Sequence, residues 1–327
     1  MLARPETKPA LLSVRNLSVA FGSMAAVTDF SFDVREGETL AIVGESGCGK
    51  STTALSILQL LPPHASCTGE ILFESDDILR MKKRELRALR GGAISMIFQE
   101  PMTSLNPVLT VGRQITEVLR KHQSLDARQA RTRAIELLDL VRIPHPEKRF
   151  DEYPHRLSGG MRQRIMIAMA VACNPRILVA DEPTTALDVT IQAQILELLD
   201  RLRRDLNMGL LLITHDLGIV NDWADRVIVM YAGRKCEEAS TERFFRDPRH
   251  PYTRRLMAAS PNMIDPEYHY RDGPLSEIPG SLNSALGETG CPFAPRCSMV
   301  EARCRAGMPP FREIAAGHKI ACVHHGQ

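Results

Sequence analysis

The sequence lacks the features that mark membrane-spanning and secreted proteins. In its 327 residues no apolar run approaches the roughly 20 residues needed to cross a bilayer. The longest runs, such as residues 210–213, have the length of a strand. The first residues, MLARPETKPALLSV, contain no apolar signal-peptide segment. We therefore expect a cytoplasmic chain that reaches a membrane only through a partner.

The sequence also has little excess charge. A formal net charge of +2 gives no general reason to expect binding to nucleic acid or to an anionic lipid surface. Charged residues at 24% and hydrophobic residues at 44% are typical of a globular protein. The sequence has eight cysteines. In a reducing compartment, those that cluster are better explained as metal ligands than as disulfides.

Strand-like and helix-like patterns alternate along most of the chain. Residues 12–37 predict an antiparallel sheet, and the apolar runs at 40–43, 94–98, 177–180 and 209–213 predict strands separated by helices. This order predicts an α/β fold with a mainly parallel core sheet, interrupted by a helical subdomain at about 100–172. We expect one nucleotide-binding domain over 1–258 and an irregular, cysteine-bearing extension over 259–327.

The strongest local signal is GESGCGKS at residues 44–51, which matches the phosphate-loop pattern G-x-x-x-x-G-K-[ST] between a strand and a helix. Its glycines let backbone N–H groups surround a phosphate, Lys50 reaches the β- and γ-phosphates, and Ser51 can bind Mg²⁺. Cys48 fits a position that needs a small side chain, with a redox switch as the alternative. The predicted nucleotide contacts are Gly44, Ser46, Gly47, Cys48, Gly49, Lys50, Ser51 and Thr52.

Two further motifs carry chemistry. The apolar strand at 177–180 ends in Asp181 and Glu182, where Asp181 suits the Mg²⁺ shell and Glu182 can deprotonate the attacking water. The segment LSGGM places Ser158, Gly159 and Gly160 before a helix. A serine cap followed by glycines makes a second anion-binding helix start, which one phosphate loop alone does not need.

In combination, these motifs resemble the ATP-binding-cassette (ABC) family of P-loop NTPases, whose signature LSGGQ appears here as LSGGM. The resemblance implies four more roles. Phe21 would stack on adenine, although it could be a core strand residue; Gln99, in the segment 98–101, would touch Mg²⁺ and the membrane subunit. Asp188 would lie at a dimer interface, and His215 would contact the γ-phosphate. Met161 and Thr185 depart from the usual glutamine and serine without removing a catalytic group.

The family also implies a dimer. By this resemblance, Ser158 and the two glycines after it would close over the nucleotide of a second cassette, either an identical copy or a paralogue. ATP then joins the two subunits and hydrolysis releases them.

Three segments near the C terminus narrow the resemblance to the ATPases of bacterial oligopeptide and dipeptide importers: residues 250–256, 278–280 and 290–297. The ATPases of nickel and sugar-oligomer importers share much of this pattern and remain alternatives. This implies two membrane permeases, a solute-binding protein and a peripheral place on the cytoplasmic face of the inner membrane. The alternatives are a soluble ABC ATPase acting on ribosomes or DNA, and an exporter. An ABC ATPase that acts on ribosomes or DNA usually carries two cassettes or a long coiled coil, and an exporter usually has membrane helices fused to its cassette.

Four cysteines in the extension, Cys291, Cys297, Cys304 and Cys322, have the spacing C-x₅-C-x₆-C-x₁₇-C. Four thiolates suit either a zinc ion or an iron–sulfur cluster. The importer resemblance favours one [4Fe-4S] cluster with a structural role, with Zn²⁺ or free buried thiols as alternatives. The nearby histidines that could replace a thiolate are His318, His324 and His325.

Overall fold

The computed structural model describes residues 9–99, 104–185, 187–260 and 277–324. Its strands are β1 Ala10–Phe21, β2 Met24–Arg35, β3 Thr39–Val43, β4 Ala65–Phe73, β5 Asp76–Asp77, β6 Ile94–Ile97, β7 Ile177–Asp181, β8 Gly209–Ile213, β9 Arg226–Tyr231, β10 Arg234–Ser240, β11 Arg312–Ala315 and β12 His318–Ile320. Its helices are α1 Lys50–Ile57, α2 Lys83–Leu89, α3 Val111–Gln123, α4 Ala127–Leu140, α5 Pro146–Phe150, α6 Gly159–Val171, α7 Val189–Asp205, α8 Leu217–Trp223, α9 Thr241–Arg246, α10 Pro251–Ala258 and α11 Ala302–Ala306.

The chain divides into two units. Unit 1 consists of Met1–Leu12, Val34–Glu38 and Phe73–Leu211, and unit 2 of Ser13–Asp33, Thr39–Leu72 and Leu212–Gln327. Among the described residues, no helix is long and apolar enough to span a membrane.

Unit 1 contains the helices α3 to α6, which lie in the part of the chain where a helical subdomain is expected. Helices α3 and α4 each begin at a capping residue: Thr110 accepts the N–H of Arg113, and Asp126 accepts the N–H groups of Arg128 and Gln129. In α4 the buried residues are 130, 134, 137 and 138, an apolar stripe at helical spacing that packs inward. Strands β6 and β7 pair in parallel, and β7 is buried throughout. That burial accounts for the unbroken apolar run of β7, because a covered strand has no solvent-facing side.

Unit 2 contains a sheet in which β11, β12, β10, β9 and β3 are neighbours in that order. The β3–β9 pair is parallel, whereas β9, β10, β12 and β11 pair antiparallel. The sequence patterns did not predict the hairpin β9–β10 or the strands β11 and β12. These strands mix charged and apolar residues, and some of the charges are paired, as those of Arg226 and Lys235 are with Glu238.

Within unit 2, the C-terminal extension is held by a strand pair and by a buried contact between a histidine and a glutamate. Ile320 and Lys319 of β12 lie opposite Glu237 and Glu238 of β10. His318 Nε2 lies 2.7 Å from Glu237 Oε1, and both side chains are at most 1% exposed. Burial alone would raise the pKa of Glu237, but hydrogen bonds from His318 and from two backbone amides outweigh it, so this pKa is lowered. Glu237 therefore stays an anion inside the protein.

An aromatic cluster extends this attachment. The ring of Phe293, from the extension, lies 5.2 Å from that of Tyr231 and 5.3 Å from that of Tyr252, measured between centroids. All three side chains are fully buried. Burying a side chain of this size stabilises a fold by about 1.5–3 kcal/mol. The described part of the extension is therefore packed into the core of unit 2.

Candidate functional site

The phosphate loop lies in unit 2, between β3 and α1, as predicted. Three glycines take positive φ angles: 155° at Gly44, 80° at Gly47 and 111° at Gly49. A Cβ at Gly44 would stand 2.1 Å from the Met230 carbonyl oxygen, so that close approach requires a glycine. The loop thus has the tight, glycine-dependent shape that phosphate binding needs.

Lys50 is buried at the start of α1, with only 5% of its surface exposed. Its Nζ donates hydrogen bonds to the carbonyl oxygens of Gly44 at 2.7 Å and Glu45 at 3.0 Å. The ammonium group is therefore held inside the loop that a phosphate would enter. Ser51 and Thr52 follow it, half-buried, in the first turn of α1.

Burial removes Cys48 from ordinary thiol chemistry. Its side chain is 1% exposed, and burial raises the pKa of its thiol to about 11 although Lys50 lowers it. A protonated, inaccessible thiol is a poor nucleophile, so these observations favour the packing interpretation over a redox switch.

Phe21 ends β1 and is half-buried, with its ring centroid 5.9 Å from that of the exposed His64. The ring is partly open to solvent, unlike a core residue. His64 was not singled out by the sequence patterns, because a lone exposed histidine in a loop carries no local signal.

The acidic pair lies in unit 1 at the end of β7. Asp181 is buried, with 4% of its surface exposed, while Glu182 is half-buried and has φ of 46°. Gln99 Nε2 and Thr185 Oγ1 each donate to Glu182 Oε2 at 3.0 Å. The structure thus brings together two predicted site residues, Gln99 and Glu182. It adds Thr185, which in the sequence is only a departure from the family pattern.

The second glycine motif begins α6, also in unit 1. Ser158 caps the helix by accepting the N–H of Met161 at 3.3 Å, and Ser158 and Gly159 are exposed. At Gly160 a Cβ would stand 2.9 Å from Ile191 Cγ2. The glycine therefore allows α6 to pack closely against the start of α7.

Asp188 caps α7 by accepting the N–H of Ile191 at 3.0 Å, and it is exposed together with Val189. The starts of α6 and α7 thus form one solvent-facing surface in unit 1. Inside, Gln163 Nε2 of α6 donates to the Pro183 carbonyl oxygen at 2.5 Å, which joins this surface to the loop that follows Glu182.

His215 lies in unit 2 after β8 and is exposed, and the next residue, Asp216, caps α8 by accepting the N–H of Gly218 at 2.8 Å. Of the predicted segments, Glu100, Pro101, Ala186 and His325 lie outside the described residues.

The four extension cysteines line one small cavity in unit 2, together with His250 and His324. Its volume is about 10 Å³, room for about one water molecule. Across the described ranges, no group of three or more His, Cys, Asp or Glu side chains is arranged to hold a metal ion. The cysteines are thus gathered around a common space, with their thiols free.

Backbone N–H groups donate to the sulfurs. The N–H of Met299 reaches Cys297, that of Glu301 reaches Cys304 and that of His324 reaches Cys322, each at 3.4 Å. Burial raises the pKa of Cys291 to about 11, a backbone hydrogen bond from Phe293 opposes it, and the neighbouring thiols add to it. Burial also raises the pKa values of Cys297 and Cys322. Without a cation, the thiols of Cys291, Cys297 and Cys322 therefore stay protonated at neutral pH.

Comparisons with known proteins identify the family of this chain. Residues 27–185 match the ABC transporter family, and residues 236–304 match the oligopeptide/dipeptide transporter C-terminal region. A probable peptide ABC transporter ATP-binding protein of Sinorhizobium fredii, y4tR, is 51% identical over 95% of this chain and 94% of its own. The dipeptide transport ATP-binding protein DppD of Bacillus subtilis is 48% identical over the same shares.

Solved structures share the fold. The post-hydrolysis dimer of the ATP-binding cassette MJ0796 bound to ADP and Pi has a TM-score of 0.63 at 29% identity, covering 70% of this chain and 98% of that one. For cbiO1 of Clostridium perfringens, part of the ABC transporter complex cbiONQ, the TM-score is 0.64 at 27% identity, covering 79% and 97%. The protein is therefore an ABC-type ATPase with the predicted α/β cassette fold. Within the ABC transporter family, it belongs to the ATP-binding subunits of the oligopeptide/dipeptide type.

Proposed function

We propose that this subunit binds and hydrolyses MgATP to power the import of peptides or a related solute through two membrane permeases. The observation that carries the ATP part is the phosphate loop, in which Lys50 is buried with its ammonium group among loop carbonyls. When the triphosphate binds, Lys50 exchanges those carbonyls for the β- and γ-phosphate oxygens. The substrate class is supported by the printed names of the relatives, which are peptide and dipeptide transport proteins.

The reaction needs a base and a Mg²⁺ shell. We assign the base to Glu182, which takes a proton from the attacking water, and the Mg²⁺ ligands to Ser51, Asp181 and Gln99. The hydrogen bonds from Gln99 and Thr185 hold the Glu182 carboxylate in one orientation, which supports this role. Phe21 stacks on the adenine, and His215 contacts the γ-phosphate.

A second cassette completes each site. The exposed starts of α6 and α7, with Ser158 and Asp188, are the surface we assign to the dimer interface. The N–H groups in the first turn of a helix attract phosphate, so Ser158, Gly159 and Gly160 suit the γ-phosphate of the partner's nucleotide. The dimeric MJ0796 cassette supports this arrangement. Identical or paralogous partners both fit it.

The partners and place in the cell follow from the proposed role. A peripheral subunit on the cytoplasmic face of the membrane would bind two permeases, and an extracytoplasmic solute-binding protein would deliver the solute. The division into a nucleotide-binding domain over 1–258 and an extension over 259–327 belongs to this proposal.

The extension cysteines fit a bound metal centre by their chemistry. Cys291, Cys297, Cys304 and Cys322 are four sulfur donors around one cavity, and backbone N–H groups already point at them, as they do where thiolates carry charge. We propose that they hold one [4Fe-4S] cluster. When bound, the cluster supplies positive charge that keeps the thiols ionised and cross-links the extension. Because the cavity is small, the four cysteine side chains must move apart to admit a cluster.

The function is tested by co-purification and transport. The tagged full chain, expressed with its membrane partners and extracted in mild detergent, should recover integral membrane subunits and a second cassette. In proteoliposomes, uptake of a labelled peptide should require ATP and should fail with Lys50→Ala. Recovery of ribosomes or DNA without membrane proteins would contradict the transport role.

A further inference from the structure

The extension makes a direct contact with the phosphate loop. Arg296 Nη1 donates to Glu45 Oε2 at 2.8 Å, and Arg296 Nη2 donates to Glu45 Oε1 at 3.0 Å. Glu45 is the second residue of the loop, and the two partners are 251 positions apart in the chain. The Arg296 side chain is only 4% exposed, so this is a two-point ion pair largely screened from water.

Three groups besides Glu45 also hold the guanidinium group of Arg296. Its Nε donates to the Pro279 carbonyl oxygen at 2.7 Å, Nη2 to the Ile278 carbonyl oxygen at 3.0 Å, and Nη1 to Tyr231 Oη at 3.2 Å. Each nitrogen of the guanidinium group therefore has a partner. A planar, prearranged fork of this kind loses little freedom when it binds a carboxylate.

The backbone of Glu45 is held as well. Its N–H donates to Tyr252 Oη at 2.9 Å, and the Tyr252 ring packs against Phe293, three residues before Arg296. The carbonyl oxygen of Glu45 accepts Lys50 Nζ. One residue of the loop is thus tied to the phosphate-binding lysine on one side and to the extension on the other.

This contact changes the electrostatics of the loop. The loop must accept a triphosphate with several negative charges, and Glu45 places another anion in it. Arg296 offsets that charge and turns the carboxylate towards the extension. Without Arg296, the Glu45 carboxylate would repel the phosphates. It would also compete with them for hydrogen bonds from the N–H groups of the loop.

We propose that Arg296 is a positioning residue for the phosphate loop, and that through Glu45 the extension sets the affinity of the cassette for MgATP. The inference depends on the proposed function in one respect, namely that MgATP binds at this loop. It gives the extension a role in nucleotide binding in addition to its cysteine cavity.

The experiment measures the Kd of MgATP for the full-length chain by calorimetry. Arg296→Ala should weaken binding on the order of tenfold, because two charge-assisted hydrogen bonds are lost and a carboxylate is left unpaired. Arg296→Lys should give a smaller loss, since it keeps the charge but not the fork. The matched control is Arg305→Ala, which removes the partner of Glu288 elsewhere in the extension and should leave the Kd unchanged.

A double-mutant cycle separates positioning from a general loss of structure. In a Glu45→Gln background the Arg296→Ala penalty should shrink several-fold, because the charge that Arg296 offsets is gone. An unchanged Kd for Arg296→Ala, or the same penalty in both backgrounds, would overturn the inference.

Two further variants keep the test decisive. If Arg296→Ala does not fold, the cycle is measured with Arg296→Lys and Glu45→Gln, and a coupling of zero rejects the inference. Lys50→Ala distinguishes the two proposals: if it binds MgATP like the wild type, the assignment of the ATP site fails. If Lys50→Ala abolishes binding while the Arg296 variants bind normally, only the inference fails.

Discussion

Gln99 donates a hydrogen bond from Nε2 to Glu182 Oε2 at 3.0 Å. The glutamine follows β6 and the glutamate follows β7, and these strands pair in parallel, so their ends bring the two side chains to the same edge. A residue assigned to Mg²⁺ and the permease therefore contacts the residue assigned as base. Movement of Gln99 would therefore change the orientation of the Glu182 carboxylate.

Glu182→Gln should keep MgATP binding and lower hydrolysis at least about a hundredfold, because the amide fills the same space but cannot accept a proton from water. Phosphate release by the assembled transporter and calorimetry on the isolated subunit provide the two measurements. The matched control is Glu197→Gln, an exposed glutamate on α7 that pairs with Arg142. Hydrolysis at the wild-type rate by Glu182→Gln would show that the base lies elsewhere.

Gly44→Ala should abolish MgATP binding. Gly44 has φ of 155°, and an added Cβ would stand 2.1 Å from the Met230 carbonyl oxygen, so both backbone strain and a steric clash would displace the loop. Gly22→Ala is the control, since Gly22 also has positive φ, at 60°, but has no atom within 4 Å of the added Cβ. That variant should lose a little thermal stability and bind MgATP normally. Normal binding by Gly44→Ala would contradict the loop geometry.

The features that could be predicted from sequence are those that depend on neighbouring residues. The strand, loop and helix around Lys50 and the helix cap at Ser158 lie where the patterns placed them, because the periodicity and the capping residue are local signals. The contact between Arg296 and Glu45 was not predicted, since it joins residues 251 positions apart. Likewise, the pairing of β12 with β10 was not predicted, because it brings His318 to the buried Glu237, a contact that no local pattern encodes.

Ser158→Arg should prevent ATP-dependent dimerisation. In the Glu182→Gln background the subunit should form a dimer with MgATP in light scattering, because bound ATP that is not hydrolysed keeps the two cassettes together. A large cation at the exposed start of α6 would block that surface. The control, Thr132→Arg, adds the same charge to an exposed position of α4 and should dimerise normally. A Ser158→Arg dimer as stable as its parent would contradict the assigned interface.

Acid should destabilise the protein through His250. Burial lowers the pKa of His250 from 6.5 to about 4, although the nearby Glu237 opposes this. Between these pH values the unfolded chain binds a proton that the native state does not, so stability falls as pH falls, by about 3 kcal/mol over the whole window. Glu237 acts in the same direction only below its ordinary pKa of 4.5.

Urea unfolding at pH 7, 6, 5 and 4.5 measures this slope. Asparagine can keep the helix cap that His250 Nδ1 provides to the N–H of Tyr252, so His250→Asn removes the titrating group with limited damage. The variant should be less stable at pH 7 and should show a shallower loss of stability between pH 6.5 and 4.5. His155→Asn, at an exposed position, should keep the wild-type slope. An identical slope in His250→Asn would exclude His250 as the source.

Anaerobic purification should yield brown protein with about four irons and four sulfides per chain, as one cubane cluster requires. Serine at Cys291, Cys297, Cys304 or Cys322 should each lower the iron content and the visible absorbance, because the hydroxyl is a much poorer ligand than a thiolate. Cys67→Ser and Cys173→Ser, at half-buried free thiols outside the cavity, should keep both. Colourless protein with one zinc per chain would replace the cluster with a tetrahedral zinc site. Metal-free protein with four titratable thiols at the cavity would reject both metals.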